Sequence, residues 1–248
     1  MIGRRLRNLI SLFALKIDRI AEQNDQLIKQ QDELEWASVF HDTIRGREWL
    51  QVLSFSPGRW AANYSFLYIL VKILSDCKPD KIIEFGLGES SKIISAYLDN
   101  ELTESSHLII EHNESWIEEF KKRSFLAERS SILHLPLTVN NVGGFDVNCY
   151  SLIKEKVEGT FNLYVVDGPR GSDRYARHDI CLLADRLTIN DEFIIIMDDY
   201  ERGGERETAE ELEKMFLQKG ILVHSGIYMG AKYQMVFATK KYEFIVSQ

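Results

Sequence analysis

The sequence predicts an α/β fold: a mostly parallel sheet covered by helices on both faces, ending in an antiparallel C-terminal hairpin and preceded by a coiled-coil-like helix. Three observations carry this expectation. Short, nearly all-apolar runs alternate with amphipathic stretches from Lys81 to Tyr200, the pattern of parallel strands buried on both faces. The runs ILVHSGIYMG and YQMVFATKKYEF are joined through a Gly-containing segment, as hairpin strands are. At the other end of the chain, apolar residues recur at every seventh position.

In that N-terminal stretch, Leu6, Phe13, Ile20, Leu27 and Leu34 occupy one heptad position, and Ile10, Ile17, Asn24 and Gln31 follow four residues after each of the first four. Taken as d and a, they form a seam that turns polar at Asn24, a residue type that sets register and strand number in coiled coils. The expected consequence is a homo-oligomer, a parallel dimer or trimer. Two other readings are a helix folded back on its own domain and peripheral membrane contact through the basic first turn of Arg4, Arg5 and Arg7. The apolar run Leu9–Leu15 is interrupted by Ser11, flanked by Asn8 and Lys16, and too short to span a bilayer, and no small-residue cleavage site follows it. Residues 1–45 are therefore taken as the helix and 46–248 as the α/β domain.

Gly46 and Ser56-Pro57-Gly58 punctuate the exit from the helix, and Asn63–Ser75 reads as a strongly apolar helix ending before Lys78-Pro79-Asp80. Then come KIIEFG, a helix over Ser90–Leu98, HLIIEH, a helix over Glu114–Phe125, SILHLPL, NLYVVDG, FIIIMDDY and a helix over Glu205–Gln218. The outline resembles the Rossmann-like sheet of class I methyltransferases.

Composition agrees with a folded domain: of 248 residues, 45% are hydrophobic, 11% aromatic and 27% charged, which excludes disorder as the main theme. Thirty basic residues against 38 acidic ones give a net charge of −8, so no overall attraction to nucleic acid is expected. Cys77, Cys149 and Cys181 are odd in number and lack CxxC spacing, which points to free thiols and a cytoplasmic setting.

Chemistry-bearing residues fall at the carboxyl ends of the predicted strands. Glu84-Phe85-Gly86-Leu87-Gly88-Glu89-Ser90-Ser91 is a strand, a Gly-x-Gly turn and a helix start, where the backbone can approach a ligand closely. Ser91 stands where a dinucleotide fingerprint has its third glycine, and Glu84 suits a cationic ligand better than a pyrophosphate. Glu111 ends the next strand, where a carboxylate can grip a ribose diol. Together they point to S-adenosylmethionine, with Glu84, Gly86, Gly88, Ser90, Ser91 and Glu111 as the candidate contacts.

Asp167 ends NLYVVD, and Asp198-Asp199 end FIIIMDD; Arg170, Asp173, Arg174 and Arg177 follow Asp167 on and after a Gly-Pro-Arg-Gly loop. Carboxylates gathered at one edge must hold a divalent cation such as magnesium or manganese, share a proton, or pair with Arg170 and Arg174. Each option serves methyl transfer to a hydroxyl, which must lose its proton as the new bond forms. Asp167 and Asp199 are the candidate bases, Asp167, Asp198 and Asp199 the candidate metal ligands, and Arg170 and Arg174 the groups that would orient an acidic acceptor. Surface ion pairing and helix capping are the plain alternative for the cluster.

The segments FGLGESS, IIEHNESW, VVDGPRG and DDYER resemble, in order, the FGLGxDS, FLEEDxxW, VDGPxG and HDxxR segments of the polysaccharide O-methyltransferases that modify glucuronic acid on plant xylan and arabinogalactan. The resemblance spans roughly residues 80–202. It implies that Gly86, Gly88, Ser91 and Glu111 touch the cofactor, that Asp167 and Asp199 stand at the reaction centre, and that the acceptor is a sugar or glycan hydroxyl. Asp198 replaces that family's His, and the heptad segment replaces its membrane anchor, which suggests a glycan precursor or surface polysaccharide. The layout is also similar to the metal-dependent catechol O-methyltransferases, whose Asp and Asp-Asn ligands match Asp167 and, with Asp for Asn, Asp198-Asp199; Trp60 and Tyr64 would then line a phenol pocket. A non-catalytic coiled-coil scaffold is the alternative outside enzymes.

Overall fold

The computed structural model describes residues 2–58 and 61–247, with the side chains of residues 2–12 outside the description. In chain order the elements are α1 (Ile2–Thr43), α2 (Glu48–Gln51), α3 (Tyr64–Lys72) running into a π turn (Ile73–Cys77), β1 (Lys81–Phe85), α4 (Glu89–Asn100), β2 (Ser106–Glu111), α5 (Glu114–Arg123) and β3 (Ser130–His134). There follow β4 (Leu137–Val142), β5 (Phe145–Tyr150), α6 (Ile153–Lys156), β6 (Leu163–Val166), α7 (Asp179–Ala184), β7 (Ile194–Met197), α8 (Gly203–Lys219), β8 (Val223–Met229), β9 (Tyr233–Thr239) and a 3-10 turn (Lys240–Ser247).

The main sheet has seven strands in the order β3-β2-β1-β6-β7-β9-β8. The first five are parallel, and β9 enters antiparallel to β7 and pairs with β8 as a hairpin. The fully buried strands β6 (LYVV) and β7 (IIIM) occupy the centre because they carry no side chain that wants water. One face of the sheet packs under α3 and α4 through Phe66, Ile93, Leu163 and Val236, and the other under α7 and α8 through Ile180, Phe193, Leu212 and Phe216.

One element is absent from the sequence expectation. The segment after β3 forms a separate two-stranded antiparallel sheet, β4 with β5, turning at Gly143-Gly144. Its strands mix polar and apolar residues and are half exposed, so they lack the continuous apolar signature that marks the others.

Helix α1 is continuous, and its two halves behave differently. Residues 13–31 are exposed throughout, including Phe13, Ile17, Ile20 and Leu27 at 59–64%. From Glu33 onward the helix joins the domain: Phe40 and Ile44 are buried in the core, and Trp36 Nε1 donates to the Met229 carbonyl at 2.8 Å. Glu33 accepts from the Tyr64 N–H at 2.7 Å, from Asn63 Nδ2 at 2.9 Å and from the Ala231 N–H at 3.1 Å. The fold-back reading thus holds for about the last quarter of the helix, from Glu33 to Thr43, while the described part of the heptad seam projects bare. Leu6 and Ile10 of that seam lie outside the described side chains. No helix among the described residues is long and apolar enough to cross a membrane.

Candidate active site

The carboxyl ends of β1, β2, β6 and β7 converge, because parallel strands bring all their C-terminal loops to one edge. Two centres form there. The first surrounds the turn between β1 and α4. Gly86 sits at φ +102°, and a Cβ on it would meet the Asp167 carbonyl oxygen at 3.5 Å, so only glycine makes this turn without strain. A Cβ on Gly88 would meet nothing within 4 Å, which leaves open space above the turn.

Beneath the turn lies a polar network that corrects part of the expected cofactor set. Glu84 is fully buried: it accepts from Ser90 Oγ and, at 2.7 Å, from Ser91 Oγ, and His107 Nε2 lies 3.1 Å away. Ser91 Oγ in turn accepts from the Gly88 N–H at 3.0 Å. Glu84, Ser90 and Ser91 are therefore spent on shaping the turn, and none of the three carboxylate and hydroxyl groups faces the open space directly. Sequence reasoning treated Glu84 as a counter-charge because nothing local shows that His107 of the neighbouring strand pairs against it.

Glu111 closes the other side. Its Oε2 accepts from the Leu87 N–H at 3.0 Å, and its Oε1 from the His112 and Asn113 N–H groups at 2.8 and 2.7 Å. The carboxylate is thereby buried and fixed against the Gly86–Gly88 turn. Trp116 Nε1 donates to the Leu87 carbonyl at 2.7 Å and ties α5 to the same turn. The buried Tyr150 hydroxyl, without a hydrogen-bond partner among the described residues, lies beside the Gly168 backbone, where a Cβ would come within 2.9 Å of it. An open glycine turn, a pinned carboxylate at its edge and an unsatisfied hydroxyl beneath make a donor set that fits a ribose-bearing ligand.

The second centre is the acidic cluster. Ligand atoms of Asp167, Asp198 and Asp199 lie within 4.8 Å of one another, as the shared strand edge requires. The cations that meet them are not the expected ones. Arg177, buried, forms ion pairs with Asp199, with Asp167 at 3.2 Å and with Glu205 at 3.6 Å, and donates to the Val166 and Asp198 carbonyls at 2.9 Å each. Lys232 Nζ sits 2.9 Å from Asp198 Oδ2 and 3.6 Å from Asp199 Oδ1, and Arg202 stands 2.9 Å from Asp199 Oδ1. Gln234 Nε2 donates to Asp198 Oδ1 at 2.8 Å and to Asn63 Oδ1 at 2.9 Å; Asn63 reaches Glu33, so a buried polar chain links α1 to the cluster.

Arg174 instead pairs with Glu207 and lies 4.0 Å over the Phe145 ring, and Arg170 is exposed on the loop, its carbonyl within 3.4 Å of Asn148 Nδ2. Arg174 is thus engaged away from the cluster, whose carboxylates meet Arg177, Arg202 and Lys232. Arg177 precedes the apolar helix α7, which draws it closer to the core than Arg174; that position is the signal available in the sequence. Lys232 has no such signal, because only the insertion of β9 beside β7 brings it in.

The metal expectation meets the same cations. Asp167, Asp198 and Asp199 are close enough to share one ion, but Asp198 has both oxygens engaged and Lys232 and Arg177 already pair with the set, so a divalent ion would have to displace these partners. Four carboxylates (Asp167, Asp198, Asp199, Glu205) face three cations (Arg177, Arg202, Lys232), leaving one negative charge in excess. A proton on Asp167 relieves that excess: burial, with the Asp198 charge beside it, pushes its carboxyl up to about 8 despite Arg177 and Lys232. It is also the most exposed of the three aspartates, with Asp198 and Asp199 buried. Asp199 at φ +59° and Arg177 at φ +61° both hold left-handed backbone, a conformation disfavoured for non-glycine residues and concentrated at functional sites. Of the phenol-pocket pair, Trp60 lies outside the described residues, and Tyr64 packs against Phe40 and His41 of α1.

No family model matches the chain, and no curated protein matches it. Among solved structures it is similar to the SAH-bound methyltransferase PaMTH1 of Podospora anserina, at 14% identity over 90% of this chain and 96% of that one, with a TM-score of 0.41. It is similar to the O-methyltransferase TomG of Streptomyces achromogenes, involved in tomaymycin synthesis and solved with SAM, at 15% identity over 83% and 90%, with a TM-score of 0.47. An O-methyltransferase of Bacillus cereus in complex with SAH matches at 12% identity over 84% and 100%, with a TM-score of 0.45. At such identities, with TM-scores below 0.5, no function passes from those proteins to this chain.

Proposed function

We propose that the protein is an S-adenosylmethionine-dependent O-methyltransferase whose acceptor is a sugar or glycan hydroxyl. The observation that carries this reading is the pairing, at one sheet edge, of an open glycine turn bounded by Glu111 with a single carboxyl held near neutrality at Asp167. When bound, S-adenosylmethionine supplies a methyl group on a sulfonium, and the acceptor hydroxyl must surrender one proton in exchange.

Asp167 takes that proton. A base tuned close to the working pH is the most effective one, and Asp167 is tuned by burial and by Asp198. Arg177 holds Asp167 and Asp199 in place, so Asp199 serves as a positioning residue and not a second base. Glu111 grips the ribose, and Glu84 fixes the turn through Ser91 and the Gly88 N–H.

The sugar reading is supported by the FGLGESS, IIEHNESW, VVDGPRG and DDYER segments. We further propose that the protein is cytoplasmic and self-associates in parallel through residues 13–31 of α1, where the exposed side chains keep the 3.5-residue spacing that a second copy requires.

The test is transfer of labelled methyl to uronic-acid oligosaccharides, with free catechols and buffer alone as controls and with magnesium added or chelated. Metal-independent methylation of the sugar supports the reading. Magnesium-dependent methylation of catechol would replace it with the phenol reading, and no donor binding would leave the scaffold.

A further inference from the structure

We propose that His178, Cys181 and Glu211 form a binding site for one zinc-class divalent metal ion that clips α7 to α8. The three side chains offer a ring nitrogen, a sulfur and a carboxylate oxygen, all within 4.8 Å of one another. This set lies outside the acidic cluster and is independent of the methyl-transfer reading.

The spacing suits a tetrahedral ion. Zinc lies about 2.0 Å from nitrogen and oxygen ligands and about 2.3 Å from sulfur, which places ligand atoms about 3.3 to 3.5 Å apart. His178 Nε2 and Glu211 Oε1 already stand 3.2 Å apart, so closing the set takes a contraction of about 1.3 Å at most. His178 and Cys181 are three residues apart at the start of α7 and thus share a helix face, while Glu211 approaches from α8.

Beyond the His178–Glu211 pair, the protein gives these donors few partners. His178 is buried, and its Nδ1 makes no hydrogen bond among the described residues; the Cys181 thiol has only a 3.8 Å contact with the Thr208 carbonyl. The three residues line a cavity of about 450 Å³, together with Lys154, Leu182, Asp185 and Met215, which leaves a path for entry and a fourth coordination position. Charge closes as well: a dication with one thiolate, one carboxylate and a neutral imidazole is neutral overall, which a half-buried site favours. On binding, the Cys181 S–H bond breaks, a sulfur–metal bond forms, and the proton passes to solvent.

His178 follows Arg177 directly in the chain, so an ion here would also hold in place the arginine that organises the acidic cluster. The test loads the dialysed full chain with zinc and measures retained metal by native mass spectrometry, with cobalt(II) as a spectroscopic probe. One zinc per chain, a thiolate-to-cobalt charge-transfer band and a raised thermal midpoint are expected. Cys181→Ser should lose the band and bind zinc at least tenfold more weakly, while Cys149→Ser, whose thiol lies on β5, should match the parent. Glu211→Gln, at the partly exposed rim, should weaken binding in a chain that keeps its fold. No retained zinc, or equal retention and an unchanged band in folded Cys181→Ser, overturns the proposal.

Discussion

Replacing Arg177 with Met keeps the apolar stem and removes the charge at the centre of the acidic cluster. In the parent this guanidinium meets Asp167, Asp199 and Glu205 and donates to two strand-end carbonyls, all in a nearly water-free setting. Without it, four carboxylates face only Arg202 and Lys232, and the Val166 and Asp198 carbonyls lose a donor. Breaking a buried ion pair from one side costs about 3 to 5 kcal/mol. Part of that cost is recovered where the carboxylates take up protons. Freed of Arg177, Asp167 moves further upward, and a carboxyl raised in the fold loses stability as pH rises towards its folded value. Urea unfolding of Arg177→Met and parent near pH 8 and near pH 5 should therefore show the full loss of about 3 to 5 kcal/mol at the higher pH and a smaller one at the lower. A loss below about 1 kcal/mol at both, the level of a surface pair, would refute the claim that Arg177 neutralises the cluster.

Other substitutions probe the remaining parts. Asp179 is buried, and burial pushes its carboxyl up to about 7 although the Tyr150 N–H donates to it. Its folded value is raised, so its stabilising effect is complete below about pH 4 and is lost as pH rises to about 7, a difference of about 4 kcal/mol. Asp179→Asn should flatten that part of the stability–pH curve in denaturant titrations; an unchanged slope would remove Asp179 as its source. Asp167→Asn should abolish methyl transfer and leave donor affinity within about twofold, and the parent rate should rise with pH through the Asp167 value of about 8. Turnover equal to the parent would remove Asp167 from the chemistry. Ile17→Asp with Leu27→Asp should convert an oligomer to a monomer in analytical ultracentrifugation without changing the unfolding of the domain, because both side chains are exposed on the projecting half of α1.

Much of the sheet was legible because its physics is local. Strands covered on both faces are dominated by apolar side chains, so KIIEF, with Glu84 as its one buried carboxylate, LYVV and IIIM announce themselves, and chain connectivity then places their carboxyl ends together. The β4–β5 hairpin escaped because its strands, rich in Asn and half exposed, show no such run; the Gly143-Gly144 pair was its one readable mark. The same division holds at the site. Glu111, Asp167, Asp198 and Asp199 are strand-end residues and were found, whereas their partners are chosen by topology. Lys232 arrives because β9 lies against β7, His107 because β2 lies against β1, and Arg177 because α7 packs on the sheet. Glu84 illustrates the hazard: a carboxylate before a glycine turn reads as a ligand contact until its two serines and its histidine are seen around it.

Donor binding tests the central claim most directly. Calorimetric titration of the full chain with S-adenosylmethionine and S-adenosylhomocysteine, repeated on Glu111→Gln and without added metal, isolates the glycine turn and its bounding carboxylate. The account predicts one donor per chain and an affinity about tenfold or more weaker in Glu111→Gln, the effect of losing charge-assisted hydrogen bonds of about 1.5 to 3 kcal/mol each. Absence of binding in the folded parent, or equal binding in the variant, would contradict it.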